Sequence, residues 1–102
     1  MKCDEIISRL RAHEQELRAA GVTGLALFGS AARGEQRDNS DVDVVVKLSD
    51  EARREGFAYF GRLDTLNRRL AEILEQPVDI VTEPIRKQSL RQEIERDRIV
   101  AF

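Results

Sequence analysis

Two aspartates separated by a single residue stand at the start of a strongly apolar segment of the sequence. Asp41 and Asp43 lie among the valines Val42 and 44–46. Residues two apart in a β-strand project from the same face of the sheet, so both carboxylates would leave one face. At ~6 Å they would repel each other by roughly 3 kcal/mol at an effective dielectric near ~20. Water or a divalent cation must relieve this repulsion, and the apolar surroundings favour the cation.

A third aspartate, Asp79, lies in a second apolar run at residues 78–81. If this strand pairs beside the first, three carboxylates meet at one point, and oxygen ligands of this kind suit Mg²⁺ or Mn²⁺. Three acids around such a metal favour phosphoryl or nucleotidyl transfer, because the metal neutralises a triphosphate. We therefore take Asp41, Asp43 and Asp79 as candidate metal ligands and catalytic residues, with Asp79 as the candidate base.

A glycine–serine pair supplies a candidate phosphate site. Residues 25–28 predict a short buried strand, and Gly29 and Ser30 follow it at a strand-to-helix turn. Glycine lets the backbone approach a phosphate closely, N–H groups at a helix start point outward, and the serine hydroxyl can donate a hydrogen bond. Arg33, one turn further on, can grip a phosphate oxygen with two donors. Gly29, Ser30 and Arg33 are therefore the candidate nucleotide-binding residues.

The elements that must position these residues follow from the apolar periodicity and the turn signals. Their order predicts an α/β (α+β) domain in which helices pack on a small mixed sheet of three to four strands. On the helix that precedes the third strand, either Tyr59 or Phe60 is expected to join the core face. The predicted helices span residues 4–20, 55–74 and 86–96, and the predicted strands span 25–28, 41–48, 78–81 and, as a short edge strand, 99–102.

The length and the net charge of the chain limit the kinds of function that it can have. The 102 residues predict one domain over residues 1–102, too short to hold a separate substrate domain. The 17 basic and 19 acidic residues give a net charge of −2, so no bulk positive field attracts nucleic acid, and direct nucleic-acid binding is not expected. No apolar stretch is long enough to span a membrane, and the single cysteine, Cys3, is typical of a cytoplasmic protein.

The combined pattern resembles a known family. Gly29-Ser30, ten intervening residues and then Asp41-Val42-Asp43 are similar to the signature of the polymerase-β-type nucleotidyltransferases. The fuller string, from Leu27 to Gly34 and then from Ser40 to Asp43, resembles the minimal nucleotidyltransferase (MNT) branch of that superfamily, as does the C-terminal stretch 90–97. Either half of the signature alone would be weak evidence, but the two halves at this spacing, with Asp79 downstream, form a specific pattern.

The resemblance implies an activity and a partner. It implies that Gly29 and Ser30 contact a triphosphate, that Asp41 and Asp43 ligate metal, and that Asp79 is the third carboxylate. MNT proteins of this size are commonly the antitoxin of a two-gene toxin–antitoxin module, and the toxin is a HEPN-domain ribonuclease. The implied reaction is Mg²⁺-dependent transfer of AMP from ATP to a tyrosine of that toxin.

Other interpretations of these residues stay open at the level of sequence. Asp41 and Asp43 could be exposed acids of an edge strand. Ser30 could be a simple helix cap and Arg33 a surface residue. Lys47 shares the predicted face of the two aspartates, so it could contact a phosphate or lie at the surface. Two rival functions also remain, namely nucleotidyl transfer to a small molecule and an antitoxin that blocks its toxin by binding alone.

Overall fold

A four-stranded sheet forms the centre of the protein, and helices pack on both of its faces. The computed structural model describes residues 2–35, 41–54 and 56–102. The strands are β1 (Val22–Leu27), β2 (Val42–Leu48), β3 (Val78–Thr82) and β4 (Ile99–Val100). The helices are α1 (Cys3–Ala12), α2 (Glu14–Ala19), α3 (Gly29–Ala32), α4 (Asp50–Arg53), α5 (Phe57–Leu74) and α6 (Gln88–Asp97).

The strands are arranged in the order β3-β2-β1-β4. Strand β1 is antiparallel to both β2 and β4, whereas β2 and β3 are parallel. A parallel pair needs a long crossover connection, and α4 and α5 provide it. The predicted mixed sheet is therefore present with four strands, and the predicted edge strand is β4, limited to Ile99 and Val100.

The alternation of side chains along β2 divides the structure into two layers. Val42, Val44 and Val46 are fully buried against α1 and α5, together with Leu10 and Leu70. The residues between them point to the opposite face, where a smaller apolar cluster forms beneath α6. This second cluster consists of Ala26, Phe28, Val45 and Ile94, with Val81, Ile85 and Leu90 packed against it.

The helix predicted over residues 4–20 is wrong as a single element, because the structure has two helices, α1 and α2. His13, between them, has φ −108° and ψ 18°, outside the helical region, and its N–H donates to the carbonyl of Leu10. Leu10 and Leu17 are nevertheless both buried. Apolar periodicity shows which face of a helix is buried. A break of one residue at His13 leaves the same face buried, so the sequence pattern could not reveal the break.

The helix predicted over residues 55–74 begins at Phe57, and a separate helix, α4, precedes it. Ser49 caps α4, since its Oγ accepts a hydrogen bond from the N–H of Ala52 at 3.2 Å. The serine followed by two acidic residues was the sequence signal for this helix start. Tyr59 is half-buried and Phe60 is 69% exposed, so Tyr59 is the aromatic residue that faces the core.

The remaining boundaries differ by one to three residues from prediction. Strand β1 begins at Val22 instead of residue 25, because Thr23 and Gly24 interrupt the apolar run without ending the strand. An irregularity in the β1–β2 register falls at this point, between Val22 and Gly24. Helix α6 starts at Gln88, two residues later than predicted. In the part of the chain that the structure describes, no helix has the length and apolar character needed to cross a membrane.

Candidate active site

Asp43 and Asp79 lie directly opposite each other on adjacent strands. The parallel register pairs Asp43 of β2 with Asp79 of β3, and Val42 with Val78 before them. Paired residues in neighbouring strands project from the same face, so both carboxylates leave the sheet on the α6 side. The sequence predicted that three acids, Asp41, Asp43 and Asp79, would meet at one point if these strands were neighbours. The register places Asp43 and Asp79 side by side, but no group of three possible metal ligands forms among the described residues.

The carboxylate of Asp43 lies in an environment that opposes its ionisation. Partial burial raises the pKa of Asp43, and the negative charges of Asp79, Glu93 and Asp41 raise it further. The positive charge of Arg33 opposes these effects without cancelling them. A half-buried carboxylate among other carboxylates is the arrangement that a bound cation would relieve.

Asp41 lies just outside the strand in which it was predicted. Strand β2 begins at Val42, and Asp41 is an exposed residue immediately before it. Its negative charge nevertheless contributes to the raised pKa of Asp43. Ser40, which precedes Asp41 in the family signature, lies outside the described residues.

Gly29 packs against Asp43 so closely that no other residue fits without displacement. Its φ of +66° is in the left-handed region, and a Cβ built on it would lie 2.6 Å from Asp43 Oδ2. The N–H of Phe28 donates to the carbonyl of Asp43 at 3.2 Å, which fixes the turn against β2. Because glycine has no Cβ, the backbone of the turn can lie close to the Asp43 carboxylate. The same lack of a side chain would let a ligand approach the turn closely.

Ser30 lies in the first turn of α3, and Phe28 occupies the N-cap position without a side-chain cap bond. The carbonyl of Ser30 accepts a hydrogen bond from the N–H of Glu35 at 2.9 Å. Ser30 is half-buried, and within the described segments its hydroxyl has no hydrogen bond. Ser30 is therefore not the cap of α3, and its hydroxyl is available to a ligand.

Arg33 is held by two carboxylates. Its Nη1 donates to Asp97 Oδ2 at 2.6 Å, and its Nε donates to Glu35 Oε2 at 3.2 Å. These bonds raise the pKa of Arg33 above its ordinary value, with Glu35 making the larger contribution. Arg33 was predicted from its distance to Ser30 alone, and its partners were not identified from the sequence.

Two acidic residues of α6 belong to this neighbourhood and were missed at the level of sequence. Glu93 acts on Asp43 by its charge, and Asp97 binds Arg33. Both flank Ile94, which is buried in the cluster beneath α6. The helical spacing of Glu93 and Asp97, four residues apart, was the signal that could have placed them on one face.

Lys47 lies on the same face of β2 as Asp43, four residues further along. At about 3.3 Å per residue the two Cα atoms are roughly 13 Å apart. Lys47 is exposed and borders a shallow cleft of about 200 Å³ beside β4. A larger groove of about 490 Å³ lies between α2 and α5, on the other side of the sheet from the acids. Neither cavity coincides with the cluster of acidic residues.

The donors around Asp43 suit a hard divalent cation. Carboxylate oxygens are the ligands that Mg²⁺ and Mn²⁺ prefer, and Asp43 and Asp79 present them from adjacent strands. Within residues 2–35, 41–54 and 56–102, no three acidic, histidine or cysteine side chains form a complete ligand group. The fit therefore depends on the Asp43–Asp79 pair, to which Asp41 is the nearest candidate addition in sequence.

Comparison of the sequence with known proteins gives consistent matches. The Nucleotidyltransferase domain family matches residues 4–101. The chain is 35% identical over 97 residues to a Methanocaldococcus jannaschii protein assigned as a protein adenylyltransferase, with 93% of each chain covered. It is 46% identical over 48 residues to the protein adenylyltransferase MntA of Thermococcus cleftensis, which covers 46% of this chain and 48% of that one.

Solved structures of nucleotidyltransferases and of a toxin–antitoxin complex have a similar fold. A structure assigned as a minimal nucleotidyltransferase superposes with a TM-score of 0.76 at 29% identity, covering 97% of this chain and 95% of that one. A chain from a toxin–antitoxin crystal structure with AMP-PNP superposes with a TM-score of 0.66 at 25% identity, covering 100% of this chain and 73% of that one. These likenesses confirm the fold class predicted from the sequence.

Proposed function

Because this chain belongs to the nucleotidyltransferase domain family, we propose that it is an antitoxin that transfers AMP from ATP to its toxin. The acceptor is the hydroxyl of a tyrosine in a HEPN-domain ribonuclease, and the modification inactivates the toxin. The observation that supports this most is the pairing of Asp43 with Asp79 against Gly29. The relative assigned as a protein adenylyltransferase supports a protein acceptor, and the structural neighbour with AMP-PNP supports ATP.

In the proposed reaction the three acids bind the metal, and one of them also accepts a proton. Asp41, Asp43 and Asp79 would hold Mg²⁺ or Mn²⁺. When bound, the metal supplies positive charge that offsets the triphosphate and lowers the barrier to attack on phosphorus. Asp79 is exposed, so it can also contact the incoming hydroxyl and take its proton.

The bond changes balance without a further reactant. The acceptor oxygen forms a bond to the α-phosphorus of ATP, and the bond from that phosphorus to the bridging oxygen of the β-phosphate breaks. Pyrophosphate leaves with the electron pair of the broken bond, and the proton of the acceptor passes to Asp79. The toxin then carries AMP as a phosphodiester on its tyrosine.

The turn that begins α3 is the proposed site of the triphosphate. Gly29 removes the Cβ that would otherwise stand between the turn and Asp43. The Ser30 hydroxyl, which has no hydrogen bond within the described residues, can donate to a phosphate oxygen. Arg33 adds a positive charge one turn further on, near enough to Asp43 to affect its pKa.

The test is a transfer assay with ATP labelled on the α-phosphate, Mg²⁺ and the protein encoded by the neighbouring gene. We expect label on that protein with the wild type. Asp43→Asn should reduce the rate at least ~100-fold, since even partners of metal ligands are typically worth about 10–100-fold. Asp64→Asn is the matched control, because Asp64 is an exposed carboxylate on α5, on the other side of the sheet.

Three results would contradict the proposal. Label on a small molecule instead of the protein would favour a small-molecule nucleotidyltransferase. Full toxin neutralisation by Asp43→Asn, with no label transferred by the wild type, would favour an antitoxin that acts by binding alone. Equal losses in Asp43→Asn and Asp64→Asn would show that the paired acids have no special role.

A further inference from the structure

The last turn of α6 is bonded to the turn that begins α3. Asp97 Oδ2 accepts a hydrogen bond from Arg33 Nη1 at 2.6 Å, and the Asp97 side chain is only 6% exposed. Arg96 donates to the same carboxylate from Nε at 3.2 Å and from Nη2 at 3.3 Å. The two arginines lower the pKa of Asp97, Arg96 more than Arg33, so this nearly buried group is a carboxylate at neutral pH.

The guanidinium of Arg33 is fixed at two of its three nitrogens. Asp97 binds Nη1 and Glu35 binds Nε. The group is planar, so two anchor points also fix the third nitrogen. Nη2 makes no hydrogen bond to a described residue, and this is the nitrogen left to donate to a ligand.

The position of Asp97 is itself fixed by the sheet that forms the candidate active site. Ile94, one turn before Asp97, is 2% exposed in the cluster beneath α6, and its carbonyl accepts a 2.8 Å bond from the N–H of Arg98. Ile99 then pairs with Leu27 in β1, two residues before Gly29. Asp97 and the turn at Gly29 are thus anchored to the same end of β1.

We propose that Asp97 is a positioning residue for the triphosphate. By holding Nη1, it orients Arg33 so that Nη2 donates to a non-bridging phosphate oxygen of ATP bound at the Gly29–Ser30 turn. Arg96 offsets the negative charge of Asp97, which limits repulsion of the phosphates. This inference rests on the proposed function for the ATP site, and it adds a residue that does not itself touch the nucleotide.

The experiment is a double-mutant cycle on the affinity for ATP with Mg²⁺, measured by titration calorimetry without any acceptor protein. We expect Asp97→Asn to weaken ATP binding about 10-fold, the effect of misplacing one charge-assisted hydrogen bond. Arg33→Ala should weaken it by a similar factor. In the Arg33→Ala background, Asp97→Asn should cause no further loss, because its effect passes through Arg33.

Conservative and matched variants separate positioning from a purely structural role. Asp97→Glu retains a carboxylate and should recover most of the affinity, whereas Glu95→Gln, an exposed change on the same helix, should not alter it. An equal loss from Asp97→Asn in both backgrounds would overturn the inference. Tighter ATP binding by Asp97→Asn would also overturn it, since Asp97 would then compete with ATP for Arg33.

The two proposals can fail separately. If the cycle shows the expected coupling but no AMP reaches the toxin, the protein acceptor is wrong and the role of Asp97 stands. If AMP transfer occurs without coupling between Asp97 and Arg33, only the role of Asp97 is wrong. A wild-type protein that binds no ATP would overturn both.

Discussion

The carboxylate of Asp43 is half-buried, lies among other negative charges and is closely packed against Gly29. Its pKa is raised by burial and by the neighbouring acids Asp79, Glu93 and Asp41, and Gly29 lies against its carboxylate. A group of this kind destabilises the folded protein when it is ionised and no cation is bound. Its environment therefore favours ligand binding at the expense of stability, as is common at functional sites.

We expect the destabilisation caused by ionised Asp43 to depend on pH in the metal-free protein. Because folding raises the pKa of Asp43, the folded protein binds the proton more tightly than the unfolded chain does. The free energy of unfolding then falls as pH rises from the ordinary aspartate value through the raised value. Asp43→Asn removes this fall, so in EDTA at pH 8 it should melt above the wild type.

The difference in melting temperature between Asp43→Asn and the wild type should shrink as the pH is lowered, because wild-type Asp43 is then protonated and uncharged, like asparagine. Melting curves in EDTA between pH 8 and pH 3 provide the measurement. Asp64→Asn, which removes an exposed carboxylate on α5, is the control and should not reproduce this profile. A lower melting temperature for Asp43→Asn at pH 8 would contradict the assignment of Asp43 as a destabilising, unpaired carboxylate.

Gly29 permits a second test at the residue scale. Gly29→Ala places a methyl group 2.6 Å from Asp43 Oδ2 and strains a backbone with φ of +66°. Gly56→Ala also places an alanine at a positive φ (+62°, with ψ −122°), and among the described residues nothing beyond its chain neighbours lies within 4 Å of the new methyl group. Each should lose roughly 1–3 kcal/mol of stability to backbone strain, and only Gly29→Ala should also lose ATP binding and AMP transfer.

Denaturant unfolding and titration with ATP measure these two effects independently. Retention of wild-type ATP affinity by Gly29→Ala would show that the turn does not contact the nucleotide. Loss of ATP binding by Gly56→Ala would show that strain alone, away from the site, explains the effect. Either outcome would remove Gly29 from the candidate site.

The residue types of the candidate site were predictable from the sequence, but their geometry was not. The Gly29–Ser30 pair and the aspartates have distinctive spacing, and aspartates in apolar runs need a partner. The alignment of Asp43 with Asp79 depends on the parallel register of two strands 36 residues apart in the chain, which no local pattern encodes. The Arg33–Asp97 pair depends on the path of α6 for the same reason.

At the scale of elements, the apolar periodicity identified buried faces better than element boundaries. The helix over residues 4–20 was wrong as one element, but its apolar residues Ile6, Leu10 and Leu17 are buried as predicted. The short helix α4 was missed because four residues contain too little periodicity to detect. Its serine cap was the stronger signal, since capping depends on residue type and not on repetition.

The packing of α2 on α5 offers a prediction at this scale. Glu16 accepts hydrogen bonds from Nε and Nη2 of Arg69, and these bonds are the main reason that the pKa of Glu16 falls to about 2. A lowered pKa contributes stability above the unfolded value, and this is lost as pH falls through the folded value. Glu16→Gln should therefore melt below the wild type at pH 7, with a difference that shrinks between pH 4.5 and 2.

A suitable control is Glu14→Gln, because Glu14 pairs with Arg18 of its own helix and does not connect α2 to α5. Its effect should be smaller, as expected for an exposed pair within one helix. Thermal melts of both variants across this pH range make the comparison. A difference between Glu16→Gln and the wild type that persists unchanged at pH 2 would contradict the assignment.

At the scale of the whole molecule, the family membership confirms the resemblance inferred from the glycine–serine and aspartate signature. The match covers residues 4–101, so the family domain accounts for almost all of the 102 residues. The site lies on the α6 side of the sheet, where the acids Asp41 and Asp79 are exposed. An exposed site of this kind is accessible to a folded protein acceptor, as the proposed function requires.

The proposed function requires that Asp43 and Asp79, together with Asp41, hold a divalent metal beside the Gly29–Ser30 turn. The most direct measurement is the anomalous scattering of Mn²⁺ in crystals grown with Mn²⁺ and AMP-PNP. We expect a manganese peak about 2.1 Å from carboxylate oxygens of both Asp43 and Asp79, with the triphosphate at the turn. A bound nucleotide whose manganese peak contacts neither carboxylate would contradict it.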